Sequence, residues 1–232
     1  KFYKLKSVSK ISEIKKHMKI KNHKNIKLWF VPFGLKELRN TQEELNFVNN
    51  LSSKYRKIFL YTRAYMRLCL SDLFCIDPLF IPLVAPPRKP PKLNNDLGFV
   101  SLSHCENGIL IGWSDTKLGV DIERTDRKVP KKFLIERFFS KHESKYFLET
   151  NKKFSTQKFI DLWVTFEAIV KYQNGNLFLE LNKWFCDLDN LRSYNLEKNI
   201  QIRTKVIKYN LWTIGLANNN INDLQNLLIC KY

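Results

Sequence analysis

The chain has 232 residues, 44% of them hydrophobic, including 17 Phe, 9 Tyr and 5 Trp; that is enough to bury a core and excludes a globally disordered chain. Its 40 Lys and Arg outnumber 22 Asp and Glu, giving a formal net charge of +18 that favours anionic partners such as nucleic acid, acidic surfaces or phosphorylated small molecules. Five cysteines without C-x-x-C spacing argue against a disulfide framework or a thiolate zinc site.

Residues 1–25 are lysine-rich and are expected to form a basic extension, with a short amphipathic helix through Ile11, Ile14 and Met18 as the alternative. Ile26–Phe33 predicts the first strand. Asn40–Phe74 lacks Gly and Pro and predicts one or two helices with a basic edge. Leu68–Ala85 is the most apolar span. Asp72, Asp77, Pro78 and Pro82 interrupt it, so no membrane helix is expected, and the protein is expected to be soluble and cytoplasmic. Pro78–Pro91 holds six of the eight prolines and predicts an irregular connector.

Phe99–Leu102 and Gly108–Trp113 predict two strands, and Leu118–Ile122 a third. Lys131–Leu148 and Gln157–Tyr172 have helical patterns, the second stopping before Asn174-Gly175. Leu177–Phe185 and Val206–Ala217 predict further strands, and the tail from Asp223 a short helix. Alternating helices and antiparallel-looking hairpins give an α+β class.

Three clusters carry chemistry. In Gly119-Val120-Asp121-Ile122-Glu123, strand alternation points Asp121 and Glu123 to one side and Val120 and Ile122 to the core. Two adjacent carboxylates suit a hard cation such as Mg²⁺, and a solvated strand face is the plainer alternative. Trp163, Glu167 and Lys171 follow at i, i+4 and i+8 and share a helix face. Ser101-Leu102-Ser103-His104 offers a hydroxyl and an imidazole to a phosphate oxygen. No G-x-S-x-G turn supports a nucleophilic serine.

In this order, together with Phe139-Ser140-Lys141-His142-Glu143 and Trp163 to Lys171, these segments resemble the 4′-phosphopantetheinyl transferase family of the larger, surfactin-synthetase-activating type. The resemblance runs from about Ile26 to Ala217 and is strongest over Phe99–Phe185. It implies two pseudo-symmetric α+β halves, each an antiparallel sheet with a packed long helix, and an active site between them. The halves would be 26–115, contacting coenzyme A and the carrier, and 116–232, holding the metal and the catalytic helix.

The implied reaction moves 4′-phosphopantetheine from coenzyme A to a serine of an acidic acyl- or peptidyl-carrier protein, releasing adenosine 3′,5′-bisphosphate. Mg²⁺, or Mn²⁺ in its place, would be held by Asp121, Glu123 and Glu167. Glu167 and Lys171 would be catalytic. Ser103, His104, Lys89 and either Arg56 or Lys57 would bind the coenzyme. A monomer with no specific nucleic acid and no membrane partner is expected. The competing readings are a basic nucleic-acid-binding protein and a pseudoenzyme that binds coenzyme A or carriers.

Two positions depart from the family pattern. Phe166 stands where a lysine is usual, so weaker pyrophosphate handling is expected, with Phe166→Lys harmless or activating. Arg88 stands where Gly-Lys-Pro usually begins. Asp121→Ala is expected to remove a metal ligand without loss of core packing.

Overall fold

A computed structural model describes residues 26–32, 39–128, 130–139, 144, 156–175, 180, 183–219 and 228–231. The basic extension, Ser140–Glu143 and parts of the predicted helix 131–148 and strand 177–185 lie outside the described residues.

The first half begins with strand β1 (Lys27–Pro32) and helices α1 (Gln42–Phe47) and α2 (Ser53–Phe74). Thr41 and Glu44 cap α1 reciprocally, each side chain accepting the other's backbone N–H. Helix α2 ends at Cys75 in the left-handed conformation, φ 56°. The proline-rich connector follows, a 3₁₀ turn (Pro78–Phe80) and a minimal hairpin of β2 (Leu83–Val84) and β3 (Lys92–Leu93). Strands β4 (Phe99–Cys105) and β5 (Gly108–Ser114) then pair as an antiparallel hairpin. Strand β4 therefore extends past the predicted end at Leu102 and carries Ser103 and His104.

The second half opens with β6 (Gly119–Arg124), followed by helices α3 (Lys131–Phe138) and α4 (Thr156–Gln173). Strands β7 (Trp184–Asp187), β8 (Arg192–Asn195), β9 (Gln201–Tyr209) and β10 (Trp212–Ala217) complete its sheet, in the order β6-β10-β9-β8-β7. The single strand predicted over Val206–Ala217 is in fact the hairpin β9–β10. Asn210, at φ 50°, turns the chain between the two strands. The last described segment is strand β11 (Leu228–Lys231), and residues 223–227 of the expected short helix lie outside the described residues. Strand β11 pairs in parallel with β1 and completes the first sheet, β11-β1-β5-β4.

The class is α+β, and three apolar layers hold it together. Outer faces of the two sheets carry the long helices: Tyr65, Met66, Leu70 and Phe74 of α2 pack on Trp29, Ile109 and Trp113. Helix α4 packs with Phe159, Val164, Phe166 and Ile169 against Trp184 and Ile202. Between the sheets, Leu28, Phe30 and Leu110 meet Val120, Ile122, Ile214 and Leu216. Burial of this kind is the main favourable term in the fold, at about 25 cal/mol per Å².

Phe166 belongs to the second of these layers. It is 1% exposed, and its ring meets Phe139 edge-on at 5.2 Å between centroids. Phe166 is therefore a core residue, and the expectation that Phe166→Lys is harmless does not fit this environment.

Candidate active site

Two glycines set the depth of the site. A side chain at Gly119 would overlap the Ala168 carbonyl and the Tyr172 backbone, and one at Gly215 would overlap the Val164 carbonyl. Gly215 is the cross-strand partner of Asp121, and Ala217 that of Gly119. Helix α4 therefore lies directly on the β6–β10 face that carries Asp121 and Glu123, while Val120 and Ile122 enter the inter-sheet layer. This is the alternation expected from the sequence.

Glu167 and Lys171, one turn apart on α4, come down beside that strand. Lys171 Nζ lies 2.5 Å from Asp121 Oδ1 and 3.6 Å from Glu167 Oε2. It also donates to Ser103 Oγ at 2.9 Å, and Ser103 donates to Asp121 Oδ1 at 2.6 Å. Ser101 Oγ accepts the Val120 N–H at 3.1 Å, so the two serines of β4 tie the edge of one sheet to the edge of the other.

The opposite wall comes from the connector, and two arginines of α2 hold it there. Arg67 is ion-paired to Glu44 at 2.8 Å, both side chains buried, and donates to the carbonyls of Pro78, Ile81 and Leu83. Arg63 donates to the Ala85 and Pro86 carbonyls and stacks 4.2 Å over Phe59. A proline-rich segment has unpaired carbonyls and few N–H groups, so buried guanidinium donors suit it.

These elements enclose a cavity of about 470 Å³. Its lining includes the acids Asp121, Glu123 and Glu167, the cations Arg63, Arg88, Lys89 and Lys171, and Ser103 and His104. Of the residues predicted for the site, Arg56 and Lys57 are not among its lining. Arg56 donates to the Val48 and Asn49 carbonyls at the start of α2, and Lys57 is exposed on the same turn. Arg63, two turns further along the helix, is the cavity-lining cation that the sequence reading passed over.

Burial and the neighbouring Asp121 raise the Glu167 carboxyl to a pKa of about 7, against the opposing pull of Lys171. Glu123 is raised for the same two reasons, with Arg127 opposing. Burial alone would lower the Lys171 pKa, but Asp121 and Glu167 outweigh it and hold the ammonium charged. His104 is exposed at the surface, yet partial desolvation by its neighbours, then Lys171 and Arg63, lowers its pKa against the pull of Asp121.

Among the described residues, no three donors of the His, Cys, Asp and Glu type are gathered closely enough to hold a metal ion. Asp121 and Glu123 instead face resident cations, Lys171 and Arg127. The donor chemistry nevertheless fits a hard divalent ion. The three carboxylates line one cavity, and the buried Asp121 Oδ2 has no hydrogen-bond partner.

Residues 117–222 match the family model of the 4′-phosphopantetheinyl transferase superfamily. The superfamily segment spans β6 to β10 and contains Asp121, Glu123, Glu167 and Lys171, leaving Lys89, Ser103 and His104 outside it. It covers a little under half of the chain. The search of curated proteins found no match. Among the described residues, no helix is long and apolar enough to cross a membrane.

Proposed function

We propose that the protein transfers 4′-phosphopantetheine from coenzyme A to a serine of an acidic acyl- or peptidyl-carrier protein. The observation that carries this reading is one cavity in which carboxylates of the superfamily segment face Arg63, Arg88, Lys89 and Lys171. Carboxylates with an unpaired buried oxygen suit a divalent cation, and surrounding cations suit a pyrophosphate.

Asp121, Glu123 and Glu167 are the residues that would hold Mg²⁺ or Mn²⁺, which when bound supplies charge neutralisation at the pyrophosphate. Arg63, Arg88, Lys89 and His104 bind the phosphates of the coenzyme. Ser103 orients Asp121 and Lys171 through its two hydrogen bonds. The serine hydroxyl of the carrier attacks the phosphorus that bears pantetheine. A new serine O–P bond forms as the pyrophosphate P–O bond breaks, and adenosine 3′,5′-bisphosphate leaves. Glu167 takes the serine proton, directly or through water, and Lys171 neutralises charge on the departing phosphate. The net charge of +18 steers the acidic coenzyme and carrier toward the cavity.

The test is incubation with coenzyme A, Mg²⁺ and a panel of unmodified carrier proteins, followed by intact mass measurement. A phosphopantetheine mass increase on the carrier serine is expected. No increase on any carrier, with coenzyme A binding intact, would leave the pseudoenzyme reading in its place.

A further inference from the structure

Each carboxylate of the strand pair has its own resident cation. Lys171 serves Asp121, and Arg127, from the turn after β6, reaches back to the Glu123 carboxylate. The two partners in the second pair differ in freedom. Glu123 is 12% exposed and sits on a strand bonded along its length to β10, whereas the Arg127 side chain is 48% exposed. Arg124, the nearest other arginine, is committed elsewhere: it holds Asp126 and lies 5.9 Å over the Trp212 ring. Beside this pair, Asp121 lines the cavity, and its buried Oδ2 has no hydrogen-bond partner.

We infer that Arg127 is an internal competitor for the divalent cation, held on Glu123 until a metal ion takes that carboxylate from it. The inference rests on the metal assignment in the proposed function. Glu123 is fixed by its strand, so a divalent ion held there would displace the guanidinium from the carboxylate. Arg127 is the mobile member, because its charge can return to water at little cost. The exchange sets the concentration of divalent ion at which the site fills.

The experiment is titration of the full chain with Mn²⁺, followed by electron paramagnetic resonance of the free ion. Wild type, Arg127→Gln, Arg127→Lys and Asp121→Asn are compared, with melting curves in EDTA and in Mn²⁺. Arg127→Gln is expected to bind Mn²⁺ about fivefold more tightly, the worth of a partly exposed ion pair of about 1 kcal/mol, and Arg127→Lys to fall between. Its melting temperature should be lower than wild type in EDTA and recover in Mn²⁺. Equal Mn²⁺ affinity in wild type and Arg127→Gln, with both sensitive to Asp121→Asn, overturns this inference alone and reduces the pair to a turn support. Absence of Mn²⁺ binding, or binding indifferent to Asp121→Asn, overturns it together with the metal assignment.

Discussion

Lys171 Nζ and Asp121 Oδ1 lie 2.5 Å apart, joining the helix of the second half to its first strand inside the cavity. Asp121 is 3% exposed and Lys171 29%, so the two residues are not equivalent partners. Removing Lys171 strands a buried carboxylate, whereas removing Asp121 leaves an ammonium that can extend toward water. Asp121→Ala, expected from the sequence to leave the fold largely intact, removes this buried ion pair. It should cost about 2 kcal/mol and Lys171→Met rather more. Thermal melts of both variants and of the double mutant check this, and an equal or opposite ranking would show that the pair is not asymmetric. Both single variants should lose transfer.

Phe166→Lys places an ammonium among Phe139, Phe159 and Ile169. Loss of the packed ring and desolvation of the charge together should cost about 4 kcal/mol. For a chain of this size that is roughly a 10 °C fall in melting temperature. Phe166→Leu, which keeps an apolar side chain, should cost less than half as much. A Lys variant that melts with the wild type and transfers as well would place the 166 side chain outside the core.

Gly119→Ala and Gly215→Ala should each destabilise by at least about 3 kcal/mol, because the added methyl meets helix backbone rather than a side chain that can swing away. A shift of α4 away from β6 would also lengthen the Lys171–Asp121 pair, so transfer should fall even in the fraction that stays folded. Denaturant midpoints and specific activity, measured on the same preparations, separate the two effects. A midpoint matching wild type in either variant would contradict the close approach described.

Arg88 lies at φ 60°, the left-handed region that glycine enters most easily. Arg88→Gly should relieve about 1 kcal/mol of backbone strain, offset in part by the greater freedom of glycine in the unfolded chain, so melting should be unchanged or slightly higher. The lost cation should weaken binding of adenosine 3′,5′-bisphosphate by roughly tenfold. Arg88→Ala keeps the strain, so it should show the same binding loss with no gain in melting. Calorimetric titration and melting of both variants test the two halves of this prediction separately.

Local chemistry made much of the molecule legible in advance. Strand alternation was enough to set Asp121 and Glu123 on one face and Val120 and Ile122 on the other. Helical spacing was enough to bring Glu167 and Lys171 to the same side of α4. Both inferences depend only on the fixed periods of the backbone. What required the tertiary structure was every contact between distant segments. The return of Leu228–Lys231 to β1, the docking of the proline connector by Arg63 and Arg67, and the seating of Phe166 against Phe139 have no local signature. Arg63 and Phe166 show the physical reason. A basic residue on a helix reads as a solvated edge, and an aromatic beside a catalytic glutamate reads as a lost charge. Only the packed neighbours decide which side chain faces the cavity and which is buried.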